Sequence, residues 1–302
     1  MGNCLCCKQV GGNNNTQDED KEKEALTWLL ENKVIESKDD VFKIDFSDGS
    51  MPPLHSQSRK GNADAVERLL MLDKAKTTTK ILYGSRTPLH QAAAAKKGRL
   101  KTCKILLEFD AGQIEATTND GSTPMHMLAQ SDDDQVAVFK LFAEKGGLEL
   151  AKKAKKDGST LLHLACEAGS TELAGEVLKV VPSLALMVDG SVRTCLHFAA
   201  EKGHVELVRQ LCKVQGMKYD TKDRNGSTCL SLAAVGGHAE VVGLLVEQDS
   251  TLLNIRDRDG KKPFDLCAEF GTTKGHWVSF FSGVSGACSC LVPLISKIAA
   301  SS

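Results

Sequence analysis

Two residue types in this chain carry the means for chemistry, histidine in a fixed rhythm and cysteine in clusters. His55, His90, His126, His163 and His197 follow one another at intervals of 35, 36, 37 and 34 residues, and Ser231 and Asp265 continue the series at intervals of 34. Imidazoles in series are candidate metal ligands or general bases. A zinc ion, however, needs several donors within about 2.0–2.3 Å of one point. Successive helices pack roughly 10 Å apart, so one histidine per layer builds no such site. Of the 11 cysteines, Cys4, Cys6 and Cys7 crowd the start, Cys288 and Cys290 lie near the end, and six stand singly between them. No glycine-rich phosphate loop and no Gly-x-Ser-x-Gly elbow is present. The pattern points away from an enzyme and away from a metal or cofactor.

The elements that position the histidines come from the phrase around each. It reads Thr87-Pro88-Leu89-His90, Thr123-Pro124-Met125-His126, Thr160-Leu161-Leu162-His163 and Thr194-Cys195-Leu196-His197, with weaker copies at Thr228-Cys229-Leu230-Ser231 and Lys262-Pro263-Phe264-Asp265. A period of this length signals stacked supersecondary units. The fifth unit shows the construction. Asp189-Gly190 reads as a turn that supplies positive φ cheaply. Thr194 stands at a helix start, where its hydroxyl caps free N–H groups. Proline at the next position, in the copies that have it, costs nothing because the first helical N–H has no partner. Leu196, Ala199 and Ala200 give one apolar face, Gly203 ends the helix, and Leu207, Val208 and Leu211 mark a second helix. Asp223-Arg224-Asn225-Gly226 then opens the next turn.

These residues resemble the ankyrin repeat family over roughly residues 47 to 275. The resemblance is carried by the Thr-Pro-Leu-His segments, by the turns Asn119-Asp120-Gly121, Asp157-Gly158, Asn225-Gly226 and Asp259-Gly260, and by Gly203-His204 and Gly237-His238. It implies an all-α fold: a solenoid of about seven helix-turn-helix repeats with short hairpin turns. It also implies that each slot histidine hydrogen-bonds backbone within its own repeat. Two departures stand out: two extra residues between His90 and Gly98, and Asp132-Asp133-Asp134 where a helix-ending glycine is expected.

Composition narrows the function. The formal net charge is −1, and only 2 Trp and 2 Tyr occur, with no basic stretch interleaved with aromatics, so nucleic acid is not an expected partner. No small-molecule substrate is implied. Cys195 and Cys229 occupy the place of Pro88 and Pro124, and Cys166 and Cys212 fall in helix patterns. They read as small buried hydrophobes rather than a disulfide framework. No basic-then-apolar leader precedes the repeats, so an intracellular setting is expected.

The domains follow: 1–17 as lipid-anchor segment and flexible spacer, 18–46 as a capping-helix region, 47–275 as repeats, and 276–302 as an apolar C-terminal segment. Met1-Gly2-Asn3-Cys4-Leu5-Cys6-Cys7 resembles a dual-acylation signal, with Gly2 for myristate and Cys4, Cys6 and Cys7 for palmitate. Cys6 stands where that signal usually has Ser or Thr. One myristoyl chain binds bilayers only marginally, at about 10⁴ M⁻¹. Lys8 stands alone before Asp18-Glu19-Asp20, so the thioesters are the second anchor. The competing readings are a metal-binding cysteine cluster and an unmodified N-terminus. Glu22 to Asn32 is expected to be helical, with Ala25, Leu26, Leu29 and Leu30 on the face that covers the first repeat, and a docking helix for another protein as the competing reading. The tail has no charged residue between Lys274 and Lys297. It reads as the last repeat's second helix and cap, with a membrane-touching segment or a membrane span as alternatives.

The resulting expectation is a scaffold or adaptor for protein partners, held by acyl chains at the cytosolic face of a membrane, the plasma membrane first among them. The alternative is a membrane-embedded ankyrin-transmembrane signalling protein anchored through its C-terminal segment. The expected partner groove runs four residues past the histidine slot, through Glu167, Glu201, Val235 and Glu269. It forms an acidic, partly apolar stripe for a basic peptide, with plain solvated surface as the competing reading.

Overall fold

The computed structural model describes residues 15–37, 51–72, 85–130, 134–263 and 265–266, without the side chains of 15–19 and 130. Gly2, Cys4, Cys6, Cys7, Asp132, Asp133, Glu269 and the segment 276–302 therefore lie outside the described residues. The chain divides into two units, Met1–Gln113 and Ile114–Ser302.

In the first unit, α1 (Asn15–Glu31) precedes two helix pairs, α2 (Pro53–Lys60) with α3 (Ala63–Leu72) and α4 (Pro88–Ala93) with α5 (Arg99–Phe109). Like packs on like: α2 against α4, and α3 against α5. The apolar face of α1 lies on α3, where Leu29, Ile35, Ala65 and Leu69 form a buried cluster flanked by Leu26 and Trp28. The Arg68 guanidinium stands 4.2 Å over the Trp28 ring, covering its outer face by a cation–π contact. α2 ends at Gly61 with φ 69, and Gly98 adopts φ 62 in the matching turn of the next pair. The two turns approach so closely that a Cβ on Gly61 would stand 1.7 Å from the Lys97 carbonyl oxygen. The two extra residues of this repeat are absorbed between the six-residue α4 and Gly98, which keeps its left-handed turn.

The second unit repeats the motif. First helices are α8 (Leu161–Ala168), α10 (Cys195–Lys202) and α12 (Cys229–Val235). Second helices are α6 (Gln135–Gly146), α9 (Thr171–Val180), α11 (Val205–Cys212) and α13 (Ala239–Gln248), while α7 (Glu149–Lys152) is a single turn between repeats. The first helices pack in one row, the second helices in another. Between the rows lie Leu162, Ala165, Leu196, Ala199, Leu230 and Ala233 from one side and Leu173, Val177, Leu207, Leu211, Val241 and Leu245 from the other, all buried. Alanine on the first-helix face lets the two rows approach closely. At His126 the expected α-helix is a 3-10 helix, Pro124–Gln130. Where a glycine C-cap would satisfy the last carbonyls of an α-helix, this copy has acidic residues. Tighter i→i+3 bonding is the other way to satisfy a short helix end.

Among the described residues no strand forms. The hairpin tips, here called fingers, contain one isolated bridge, Val188 with Thr194. Each finger closes in the same way: Asp223 N–H donates to Ser227 O at 2.9 Å and Gly226 N–H to Asp223 O at 2.9 Å. The residue in the Gly226 position needs φ near +80°, which Gly121, Gly158, Gly226 and Gly260 supply. The fifth finger departs from expectation here. Gly190 does not take the positive φ; Val192 does, at φ 63. The left-handed position is the fourth of the turn, whose N–H bonds back to Asp189 O at 3.0 Å, and in this copy a valine occupies it. Gly190 instead lies against the preceding finger, donating its N–H to Asp157 O at 2.6 Å.

Candidate functional site

The repeated histidines are built into helix starts. In the second repeat the Thr87 N–H donates to His90 Nδ1 at 3.2 Å, and the Thr87 hydroxyl meets the same nitrogen at 2.8 Å. The pairs Thr123–His126, Thr160–His163 and Thr194–His197 repeat this at 3.1, 3.2 and 3.1 Å for the N–H bond. The Thr hydroxyl and the third helical N–H close the reciprocal half, giving capping boxes at Thr87, Thr160 and Thr194. Because Nδ1 accepts from an N–H, the ring proton sits on Nε2. In His197 that group reaches the Thr221 carbonyl at 3.1 Å, tying the helix start to the loop that opens the next repeat. In the seventh repeat Asp265 takes over the acceptor role, receiving the Lys262 N–H at 2.9 Å.

This geometry consumes the chemistry. A proton on Nδ1 would face an N–H donor, and all four of these rings are at most 1% exposed. Burial, aided by the nearby Lys155 charge, lowers the pKa of His126 to about 4. Burial likewise lowers those of His163 and His197. His126, His163 and His197 are neutral joints of the framework. Among the described residues no group of three or more His, Cys, Asp or Glu side chains is placed to hold a metal ion. Of the single cysteines, Cys103, Cys166, Cys195 and Cys229 are buried and free, while Cys212, expected to be buried, is free and half-buried; burial pushes the thiols of Cys103 and Cys229 up to about 12.

A second set of histidines joins repeats to one another. His204 and His238 precede α11 and α13, and their Nε2 atoms reach back to the carbonyls of Glu167 at 3.4 Å and Glu201 at 3.0 Å. A Cβ on Gly203 would stand 2.3 Å from the His238 ring, so glycine there serves both the left-handed turn and the passage of the next histidine.

Paired helices, Thr-capped histidine slots, glycine-ended first helices and a finger between repeats together form one recurring unit. The family model for ankyrin repeats (3 copies) matches residues 54–154, 93–179, 131–223, 174–257 and 196–275. The chain belongs to the ankyrin-repeat family. It is also similar to the nuclear factor NF-kappa-B p105 subunit of Gallus gallus, 26% identical over 157 residues. That match covers 51% of this chain and 14% of the relative.

Ankyrin repeats generally bind protein partners. Glu167 is exposed, Glu201 and Val235 are half-buried, and Glu269 is outside the described residues. Glu201 is not a free carboxylate, since Arg193 Nη1 lies 3.5 Å and Lys202 Nζ 4.0 Å from it. Arg193 also meets Asp189 at 3.4 Å and stacks 4.0 Å over the Phe198 ring. One arginine thus links the fifth finger to α10 beneath it.

The fingers themselves form a row. Lys156 N–H donates to Asp120 O at 2.9 Å, Arg224 N–H to Ser191 O at 3.0 Å and Arg258 N–H to Asn225 O at 3.2 Å. Their backbone is uniform and their side chains are not. Four residues before the left-handed position stand Thr117, Ala154, Val188, Lys222 and Arg256, all exposed. Six residues before it stand Glu115, Lys152, Leu186, Asp220 and Asn254, again all exposed. The apolar character of the fifth finger was open to view in the sequence once the copies were aligned on the left-handed glycine. Misplacing that position at Gly190 hid it.

Proposed function

We propose that this ankyrin-repeat chain is an adaptor that recognises protein partners while N-terminal lipids hold it at the cytosolic face of a membrane, with the plasma membrane as the expected site. The recognition half rests on one observation above all. The chemically capable side chains that recur are buried and cap the helix starts through Nδ1, whereas the exposed finger positions differ from copy to copy. Varied side chains on a uniform, rigid frame are the requirement for a selective protein-binding surface. In this reading Glu167, Glu201 and Val235 belong to that surface, with the charge of Glu201 partly met by Arg193, while Glu269 of the expected stripe lies outside the described residues.

The membrane half rests on residues 2 to 7 of the sequence. Myristate on Gly2 gives a reversible visit to the bilayer, and palmitate on Cys4, Cys6 or Cys7 converts the visit into residence, since each buried CH₂ contributes about 0.8 kcal/mol. Among the described residues no helix is long and apolar enough to cross a membrane. Fractionation of cells expressing Gly2→Ala, or Ser at all three cysteines, tests the anchor. Gly2→Ala is expected in the soluble fraction, and the triple variant is expected to bind weakly to many membranes. Hydroxylamine is expected to release palmitate from the wild type. A Gly2→Ala protein that stays in the pellet until residues 277 to 302 are deleted would assign the anchor to the tail.

A further inference from the structure

Seven large apolar side chains are exposed among the described residues, and four of them, Leu186, Met187, Val188 and Val192, belong to the fifth finger. Isolated exposed apolar residues are ordinary, but a contiguous set is a mark of an interaction surface. The backbone adds a second observation. Val192 holds a β-branched side chain at φ 63 where four other fingers have glycine. Left-handed backbone is unfavourable for such a residue, and residues held in that state cluster at ligand-contacting sites. The valine is 42% exposed, so it is not placed there to fill the core. A Cβ on Gly216 would meet the Leu186 side chain at 3.9 Å, so this glycine lies beside the patch without crowding it.

The neighbouring fingers decide the kind of partner. Lys156 on one side and Lys222 and Arg224 on the other are exposed; none of the three makes an ion pair within the described residues, and the Lys222 ammonium donates to the Arg256 carbonyl at 2.8 Å. Of the aspartates beside them, Asp189 and Asp223 are engaged in the turns, while Asp220 is exposed. Asp189 Oδ1 accepts the N–H groups of Ser191 and Arg193 at 2.7 and 2.8 Å, and Asp223 Oδ1 accepts those of Asn225 and Ser227 at 2.8 Å each. The patch is therefore apolar in the middle, with exposed cations on both flanks and an exposed carboxylate, Asp220, among them. Its aliphatic side chains provide no stacking platform for bases.

Resting on the protein-recognition reading above, we propose that the fifth finger, residues 186–192, is the docking site for an acidic peptide segment that seats a large apolar side chain against Val188 and Val192. Its carboxylates lie along the basic fingers on either side.

The test uses the full chain and three short labelled peptides: a glutamate background with one central leucine, the same background with serine for leucine, and a lysine background with the leucine. The acidic leucine peptide is expected to bind best. Val192→Gly and Val188→Lys each install a residue that other fingers already carry, so the fold survives. Each is expected to weaken binding about tenfold, a difference of about 1.4 kcal/mol. Arg224→Glu is expected to weaken it further at low salt than at high salt. Unchanged affinity in Val192→Gly, or no binding by any peptide, overturns the proposal. So does preference for the lysine peptide with loss in Glu201→Lys, an outcome that leaves the recognition reading standing at the first-helix stripe. Self-association of the wild type in sedimentation, abolished in Val192→Gly, would make the occupant a second copy. Displacement of the peptide by a single-stranded oligonucleotide would make it a nucleic acid. Either result rejects the acidic peptide.

Discussion

The helix starts and the fingers recur with the same period, yet selection of residue type runs in opposite senses along them. At the helix starts the side chains repeat and the bonds repeat with them, from Thr87–His90 to Thr194–His197. At the fingers only the backbone repeats, and the exposed positions run through Thr, Ala, Val, Lys and Arg. A buried polar group must meet the same partner in every layer, because an unsatisfied one costs about 1–3 kcal/mol. An exposed group carries no such requirement. In a stack of this kind, periodic chemistry builds the frame and aperiodic chemistry is free to serve recognition.

The frame side of that contrast predicts the largest effects. Gly61→Ala would force a Cβ to within 1.7 Å of the Lys97 carbonyl oxygen at a φ of 69. Left-handed strain and overpacking together are expected to cost about 3 kcal/mol or more. Loss of the first unit's helical signal in urea, ahead of the second unit, would show it. A change below about 1 kcal/mol would mean that the two turns have room to part, and the contrast between rigid frame and variable finger would weaken.

Acid provides the next test. His126 is neutral in the folded chain, with a pKa lowered to about 4, against 6.5 for the free group. Below pH 6.5 the unfolded chain takes up the proton first, so stability present at neutral pH is lost as the pH falls from about 6.5 to 4. A shift of this size corresponds to about 3 kcal/mol, at 1.36 kcal/mol per pH unit. His163 and His197 act in the same direction. Hydrogen bonds from Thr118 and Ser122 outweigh the opposing effect of burial and hold Asp120 well below the usual carboxylate range, so its loss falls at more acid pH. Urea midpoints measured across this range should fall for the wild type, and the slope should flatten in His126→Gln. A flat wild-type profile would show that these rings are accessible to protons and available for chemistry.

Most of the frame was legible in the sequence because its causes are local. A threonine cap, a proline at the first helical position and a glycine at the helix end act within a few residues, so period and placement could be read together. The 3-10 helix at Pro124–Gln130 was only half legible: the missing glycine was visible, its effect on helix type was not. The site was less legible, since exposure depends on neighbouring repeats. Glu201 looks like a free acid until Arg193, eight residues away, is placed beside it. The fifth finger was misread because Asp189-Gly190 is a turn dipeptide in composition but not in register.

His197→Ala tests the frame with a smaller effect. It removes the acceptor of the buried Thr194 N–H and the donor to Thr221 O. The expected loss is about 2 kcal/mol, with helical content, metal content and binding of the acidic leucine peptide unchanged. A stable variant that has lost bound metal in elemental analysis would instead return the histidines to the chemical role they have been denied.

Val192→Gly should give the smallest change, and its sign matters more than its size. A side chain in the left-handed region costs about 1–2 kcal/mol, while glycine loses about 0.5–1 kcal/mol more chain freedom than other residues on folding. The difference favours the glycine variant by about 0.5–1 kcal/mol. Val192 contributes no core packing to offset this, being 42% exposed, so the midpoint in urea should rise slightly. Substituting Gly226→Val in the next finger, where the Cβ would meet Arg258 N at 2.8 Å, should lower stability by more than that. If Val192→Gly proves less stable than the wild type, the valine is held by packing and belongs to the frame. A rise in stability accompanied by weaker peptide binding would place it with the fingers, at a position where the fold tolerates strain to present a side chain.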